Sequence, residues 1–141
     1  MIVLDTNVVS EFMRPNPADR VVAWMARQFA PLLYLSTISE AELRFGIEIL
    51  SPGRRRERLR SEVEEMLRED FAGRILPFDR SAAQAYATIA ATRRAAGLSI
   101  DYADCQIAAI ARVAGAAVAT RDFSAFQDCG VDVIDPWATE G

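Results

Sequence analysis

Ile2-Val3-Leu4-Asp5-Thr6-Asn7 opens the chain, three apolar residues running straight into an acid and two small polar side chains. The run is too compact for a helix. It suits a parallel strand covered on both faces, which takes continuous rather than alternating apolar residues. Short runs of the same kind recur at 32–35, 75–78, 116–119 and 131–134. Helical patterns fill the intervals: 8–13, stopped by Pro15; 19–28; and 39–50, ended by Pro52-Gly53. Three more cover 57–71, a long stretch capped by Asp79 and running to 96, and a last one opened by Ser99 or Asp101 and running to 114. Strands alternating with helices imply an α/β fold, a three-layer α/β/α sandwich around a mainly parallel sheet, formed as one domain over 1–141. In such sheets function gathers beyond the carboxyl ends of the strands.

Composition narrows the chemistry. The chain has no histidine, and all 16 basic residues are arginine, so imidazole bases, Schiff-base lysines and lysine phosphate clamps are excluded. Carboxylate is the polar chemistry that remains. A hydrophobic content of 51% over 141 residues, with a net charge of −4, describes a packed core and not a disordered chain. The isoelectric point of about 4.9 argues against holding nucleic acid by bulk charge. No basic segment precedes the first apolar run, and no apolar run approaches the roughly 20 residues needed to span a bilayer. Cys105 and Cys129 are too few for a zinc site or a disulfide framework, which points to reduced thiols in a cytoplasm.

Asp5, Glu42, Asp104 and Asp122 are therefore the residues to weigh, and each has an ordinary explanation. Asp5 can turn the chain into the next helix with help from Asn7. Glu42 follows Ser39 by three residues, the spacing of a capping box. Asp104 lies three residues after Asp101 in a first helical turn, where acids suit the macrodipole. Asp122 follows Thr120-Arg121 in a loop. Their joint placement says more. Asp5 and Asp122 fall on one strand-end rim, with Glu42 and Asp104 one turn into the helices that face it. Carboxylates gathered in this way repel one another. A hard divalent cation such as Mg²⁺ or Mn²⁺ neutralises them through oxygen ligands while keeping several waters.

Four segments, "MIVLDTNVVSEF" from residue 1, "SEAELRFGI" from 39, "DYADCQIAAIARVAG" from 101 and "VATRDFSAF" from 118, carry a family resemblance, and the tail "CGVDVIDPW" extends it over essentially the whole length. Together they resemble the PIN-domain ribonucleases, and among these the VapC/FitB-type toxins of bacterial type II toxin–antitoxin pairs. The resemblance implies that Asp5, Glu42 and Asp104 bind Mg²⁺ or Mn²⁺, directly or through water, with Thr6 and Asn7 supporting Asp5 and Thr120 contributing a hydroxyl. Asp122 stands where the family commonly has Asn, and Ala125 replaces a later Asp; an acid at 122 suits a second-metal role. Asp101 reads as a cap. The implied reaction is hydrolysis of RNA phosphodiesters, leaving a 5′-phosphate and a 3′-hydroxyl. The implied partners are a second copy of the chain and a DNA-binding, inhibitory antitoxin whose basic side chain enters the acidic pocket.

Arg44 and Arg121 lie nearest the acids and are the expected RNA contacts. The run Arg54, Arg55, Arg56, Arg58 and Arg60 reads as a solvated helix start, paired as Arg58–Glu62 and Arg60–Glu64, with Glu64 also spaced to meet Arg68. Phe12, Trp24, Phe45 and Trp137 are expected in the core or an interface. Dehalogenase-type phosphatases and phosphoacceptor domains also place an Asp after their first strand, but both need a lysine that this chain lacks. The rival of another class is a catalytically inactive PIN-like module that binds RNA or a protein.

Overall fold

The computed structural model describes residues 1–138 and builds five strands: β1 (Ile2–Leu4), β2 (Leu33–Ser36), β3 (Ile75–Leu76), β4 (Ala117–Ala119) and β5 (Val133–Ile134). They form one parallel sheet in the order β3-β2-β1-β4-β5. Val3 stands opposite Tyr34 on one side and Val118 on the other. The strand order reverses between β1 and β4, so the crevice of an open α/β sheet opens above their carboxyl ends.

The pleat of each central strand divides its side chains between two cores. Val3 and Val118 enter one, Leu4 and Ala119 the other, and all four are fully buried. The helices α5 (Arg80–Ala95) and α6 (Tyr102–Ala114) cover the first face with Ala82, Ile89, Ile107 and Ala108. Four helices, α1 (Thr6–Phe12), α2 (Asp19–Arg27), α3 (Thr37–Glu48) and α4 (Arg54–Glu65), cover the second with Val8, Trp24, Ile47 and Val63. The result is the three-layer α/β/α sandwich expected from the alternation of elements. Both cysteines lie buried as free thiols in the first core.

Several boundaries differ from the pattern of the sequence, each for a local reason. Helix α1 starts at Thr6 and not at 8, because the Asp5 carboxylate caps it by accepting from the Thr6 amide. Strand β3 stops at Leu76, since Pro77 has no N–H to continue the ladder. Helix α4 starts at Arg54, ahead of the expected residue 57, although basic residues there oppose its dipole. Glu48 at the end of α3 offsets them by accepting from Arg56 and Arg60. The helix then passes into a π-helical turn over Met66–Asp70. The pairings expected along α4 do not form: Arg60 meets Glu57 and Glu48, and Glu64 reaches across to Arg44. Trp24 is buried as expected, Trp137 packs partly against the second core, and Phe12 and Phe45 are exposed.

Candidate functional site

Asp5 sits at the point where the strand order reverses. Its amide donates to the Ala119 carbonyl at 2.9 Å, continuing the sheet for one residue beyond β1. Its carboxylate is 5% exposed and takes two hydrogen bonds, from the Thr6 amide at 2.7 Å and the Thr120 hydroxyl at 2.7 Å. Burial raises its pKa above the ordinary carboxylate value, the two hydrogen bonds pull it back, and the charges of Glu42 and Asp122 push it up again. Thr120, fully buried at the end of β4, is the hub of this corner. Its oxygen accepts from Asn7 Nδ2 at 3.3 Å and from the Asp122 amide at 3.0 Å while its proton goes to Asp5. Asn7 Oδ1 in turn accepts from the Arg121 amide at 3.4 Å.

Glu42 departs from its ordinary explanation. The cap of α3 is Ser36, whose hydroxyl accepts from the Ser39 amide at 3.1 Å, so Ser39 lies inside the helix and no capping box is made. Glu42 Oε1 instead accepts from the Thr6 hydroxyl at 2.8 Å, and the Ser39 oxygen lies 2.9 Å from that same hydroxyl. Thr6 has one proton, which the carboxylate takes, leaving Ser39 to donate to Thr6. Thr6 thus joins Asp5 to Glu42 across two helices. Ser39 is buried, and its part in this chain was hidden behind its cap-like position in the sequence.

Asp104 lies in the first turn of α6. Asp101 is the cap of that helix, its Oδ1 accepting from the Asp104 amide at 2.9 Å. The Asp104 carboxyl is pushed up from 3.8 to about 7, first by burial and then by the charges of Asp101, Asp5, Asp122 and Glu42. Asp104 is therefore within electrostatic reach of the other three sequence candidates, and Asp5 within reach of Glu42 and Asp122. Asp122 Oδ1 accepts from Ser124 Oγ at 3.1 Å and the Ala125 amide at 3.3 Å, which folds its loop over the rim. Asp101, Asp104 and Asp122 line a pocket of about 310 Å³ together with Arg93 and Ser124.

Among the described residues no group of three or more acidic or cysteine side chains is positioned to hold a metal ion as it stands. The hydrogen bonds give the reason. Asp5 is tied back to Thr6 and Thr120, Glu42 to Thr6, and Asp122 to its own loop, so mutual repulsion is relieved by separate tethers. The donor set is nonetheless all oxygen, which suits Mg²⁺ or Mn²⁺, ions that take one or two carboxylates and complete their shell with water and phosphate. Arg44 is held by Glu40 at 2.8 Å and by Glu64. Arg121 stacks over Trp137 at 5.1 Å.

Sheet order, the reversal at β1/β4 and the acids above it define a PIN fold, and the model of the PIN domain family matches residues 2–129. The chain belongs to the PIN-domain family, within its VapC/FitB type of toxins. It is 48% identical over 137 residues to the plasmid stability protein StbB of Pseudomonas syringae pv. tomato, covering 97% of this chain and 99% of that one. It is 45% identical to the VapC ribonuclease Y4jK of Sinorhizobium fredii, covering 97% and 98%. The crystal structure of FitAcB from Neisseria gonorrhoeae superposes with a TM-score of 0.93 at 44% identity, covering 99% of this chain and 100% of that one.

Proposed function

We propose that this chain is a metal-dependent endoribonuclease, the toxin of a toxin–antitoxin pair, acting as one PIN-like domain on RNA in the cytoplasm. The observation that carries the reading is the acidic crevice at the strand reversal, where burial and then the charges of Glu42 and Asp122 hold the carboxyls of both Asp5 and Asp104 above their ordinary values. A protein with no use for that arrangement would be more stable without it. Asp5, Glu42, Asp104 and Asp122 would hold Mg²⁺ or Mn²⁺, directly or through water. When bound, the cation supplies Lewis acidity toward water and phosphate.

The chain's own residues prepare that site. Thr120 and the Thr6 amide keep Asp5 oriented and favour its ionised form. Thr6 steers one oxygen of Glu42, and Asn7 holds the strand-end loop that carries Asp122. Asp104 gives up its proton when a positive charge arrives, because its high pKa derives from burial and neighbouring acids. With no histidine or lysine in the sequence, neither side chain can act as base or nucleophile. Arg44 and Arg121 are the basic residues proposed to meet the RNA backbone, Arg121 after leaving Trp137. The related FitAB complex bound to a DNA fragment supports a DNA-binding antitoxin partner; pairing of two copies of this chain is part of the same proposal. No helix among the described residues is long and apolar enough to cross a membrane.

The test is cleavage of RNA in Mg²⁺ or Mn²⁺ by the wild type, Asp5→Asn and Asp104→Asn, with EDTA as control. Cutting by the wild type alone, silenced by EDTA, is the expected outcome. Equal cutting by both variants would remove these residues from the site. A second reading, an inactive PIN-like module binding RNA or protein, is favoured by the absence of a pre-formed three-acid cluster among the described residues. Binding that survives EDTA with no cutting in any metal would select it.

A further inference from the structure

Arg93, in the last turn of α5, is 3% exposed, yet among the described residues it joins none of the ion pairs. Its guanidinium donates to three backbone carbonyls: Nε to Ser99 at 2.9 Å, and Nη1 to Gln127 at 2.7 Å and Ser124 at 3.2 Å. Those carbonyls belong to two separate connections, the one between α5 and α6 and the one after β4, which contains the short 3-10 turn Ser124–Phe126. The first leads into Asp101, which caps the helix carrying Asp104. The second begins at Asp122, whose carboxylate accepts from Ser124 Oγ and the Ala125 amide. Arg93 itself lines the pocket of about 310 Å³ that Asp101, Asp104 and Asp122 border.

A buried guanidinium with no carboxylate at ion-pairing distance is a costly way to fill a core, and an apolar side chain of similar length would serve packing better. What the guanidinium offers is a rigid planar fork with donors in fixed directions. Here those donors bridge two connections that pair with each other in no sheet. Each connection delivers one wall of the acidic pocket.

We infer that Arg93 is a positioning residue that ties the Asp104 wall to the Asp122 wall and so limits how far the two acids can move apart when a cation draws them in. This rests on reading the acids as a cation site. Arg93 touches neither cation nor RNA; it acts through the main chain of Ser99, Ser124 and Gln127. Partners behind a metal ligand typically change affinity by about 10–100-fold when they are removed.

The experiment uses full-length wild type, Arg93→Gln, Arg93→Lys and Arg93→Ala, titrated with Mn²⁺ alone and followed separately by thermal unfolding without metal. Arg93→Gln should unfold cooperatively and bind Mn²⁺ about 10–100-fold more weakly, with kcat for RNA falling and KM nearly unchanged. Arg93→Lys should fall between it and the wild type. Millimolar guanidinium should restore Mn²⁺ affinity to Arg93→Ala where sodium chloride of equal strength does not. A folded Arg93→Gln that binds Mn²⁺ within about twofold of wild type overturns the inference. Should Arg93→Gln not fold, Arg93→Lys decides, because it keeps the charge and loses the fork; unchanged affinity there is equally fatal. Wild type that fails to bind Mn²⁺ sinks the cation-site reading and this inference with it, whereas equal binding by wild type and variants sinks this inference alone.

Discussion

Replacing Asp104 by asparagine should make the metal-free protein more stable while removing its activity. Asp104 carries no side-chain hydrogen bond that favours its charged form, and its carboxyl is pushed from 3.8 to about 7 by burial and four neighbouring acids. That rise corresponds to about 4 kcal/mol, at about 1.36 kcal/mol for each pH unit. The carboxyl is only half-buried, and solvent screening reduces the figure to about 2 kcal/mol. Losing an acid from the first turn of α6 takes back about 0.5 kcal/mol. The net gain of about 1.5 kcal/mol should raise Tm by about 4 °C for a chain of this size. Because the folded pKa lies above the unfolded one, the wild type has this stability in full below about pH 4 and loses it as pH climbs through about 7. The assay is thermal unfolding in EDTA at about pH 8 and about pH 4. The variant should win at the higher pH and lose its advantage at the lower. A variant no more stable than wild type at pH 8, or one with the same gain at both pH values, would refute the reasoning.

Other consequences follow from the same contacts. Thr120→Val keeps the shape but leaves Asp5 Oδ2 and the Asp122 amide without a partner; urea unfolding should show a loss of about 1–3 kcal/mol, and RNA cleavage should fall with it. Ile89→Ala empties a fully buried position between α5 and the sheet, which should cost about 3 kcal/mol by the same measurement without changing Mn²⁺ affinity per folded molecule. A stability loss well below 1 kcal/mol at either position would mean that the site relaxes around the change.

Much of the architecture was legible because parallel strands covered on both faces leave continuous apolar runs. Ile2–Leu4 reads as a strand, and the acid after it marks where the strand ends. Asp79 and Asp101 also read correctly as caps, since capping is a contact between near neighbours in sequence. Glu42 shows where local reading stops. Its spacing from Ser39 suggests a cap, but Ser36 already fills that place, and the true partner of Glu42 is Thr6, 36 residues away. The ion pairs of α4 were misread for the same reason, because Glu48 and Arg44 on the neighbouring helix outcompete partners along α4 itself. Arg93 left a faint signal: it shares a helix face with Ala82 and Ile89, both buried, where an arginine has no ordinary place. The carbonyls that accept from it belong to a loop and to a single 3-10 turn with the residue after it, segments too short to carry a periodic pattern.

The most direct test of the acidic crevice is calorimetric titration of the wild type with Mn²⁺ near pH 7 and near pH 9, in buffers of differing ionisation enthalpy. Binding should release protons near pH 7, where Asp104 is about half protonated, and release few near pH 9. Millimolar Mn²⁺ that gives no heat of binding, or binding left undiminished in Asp5→Asn, would contradict the claim that these carboxylates together hold a cation.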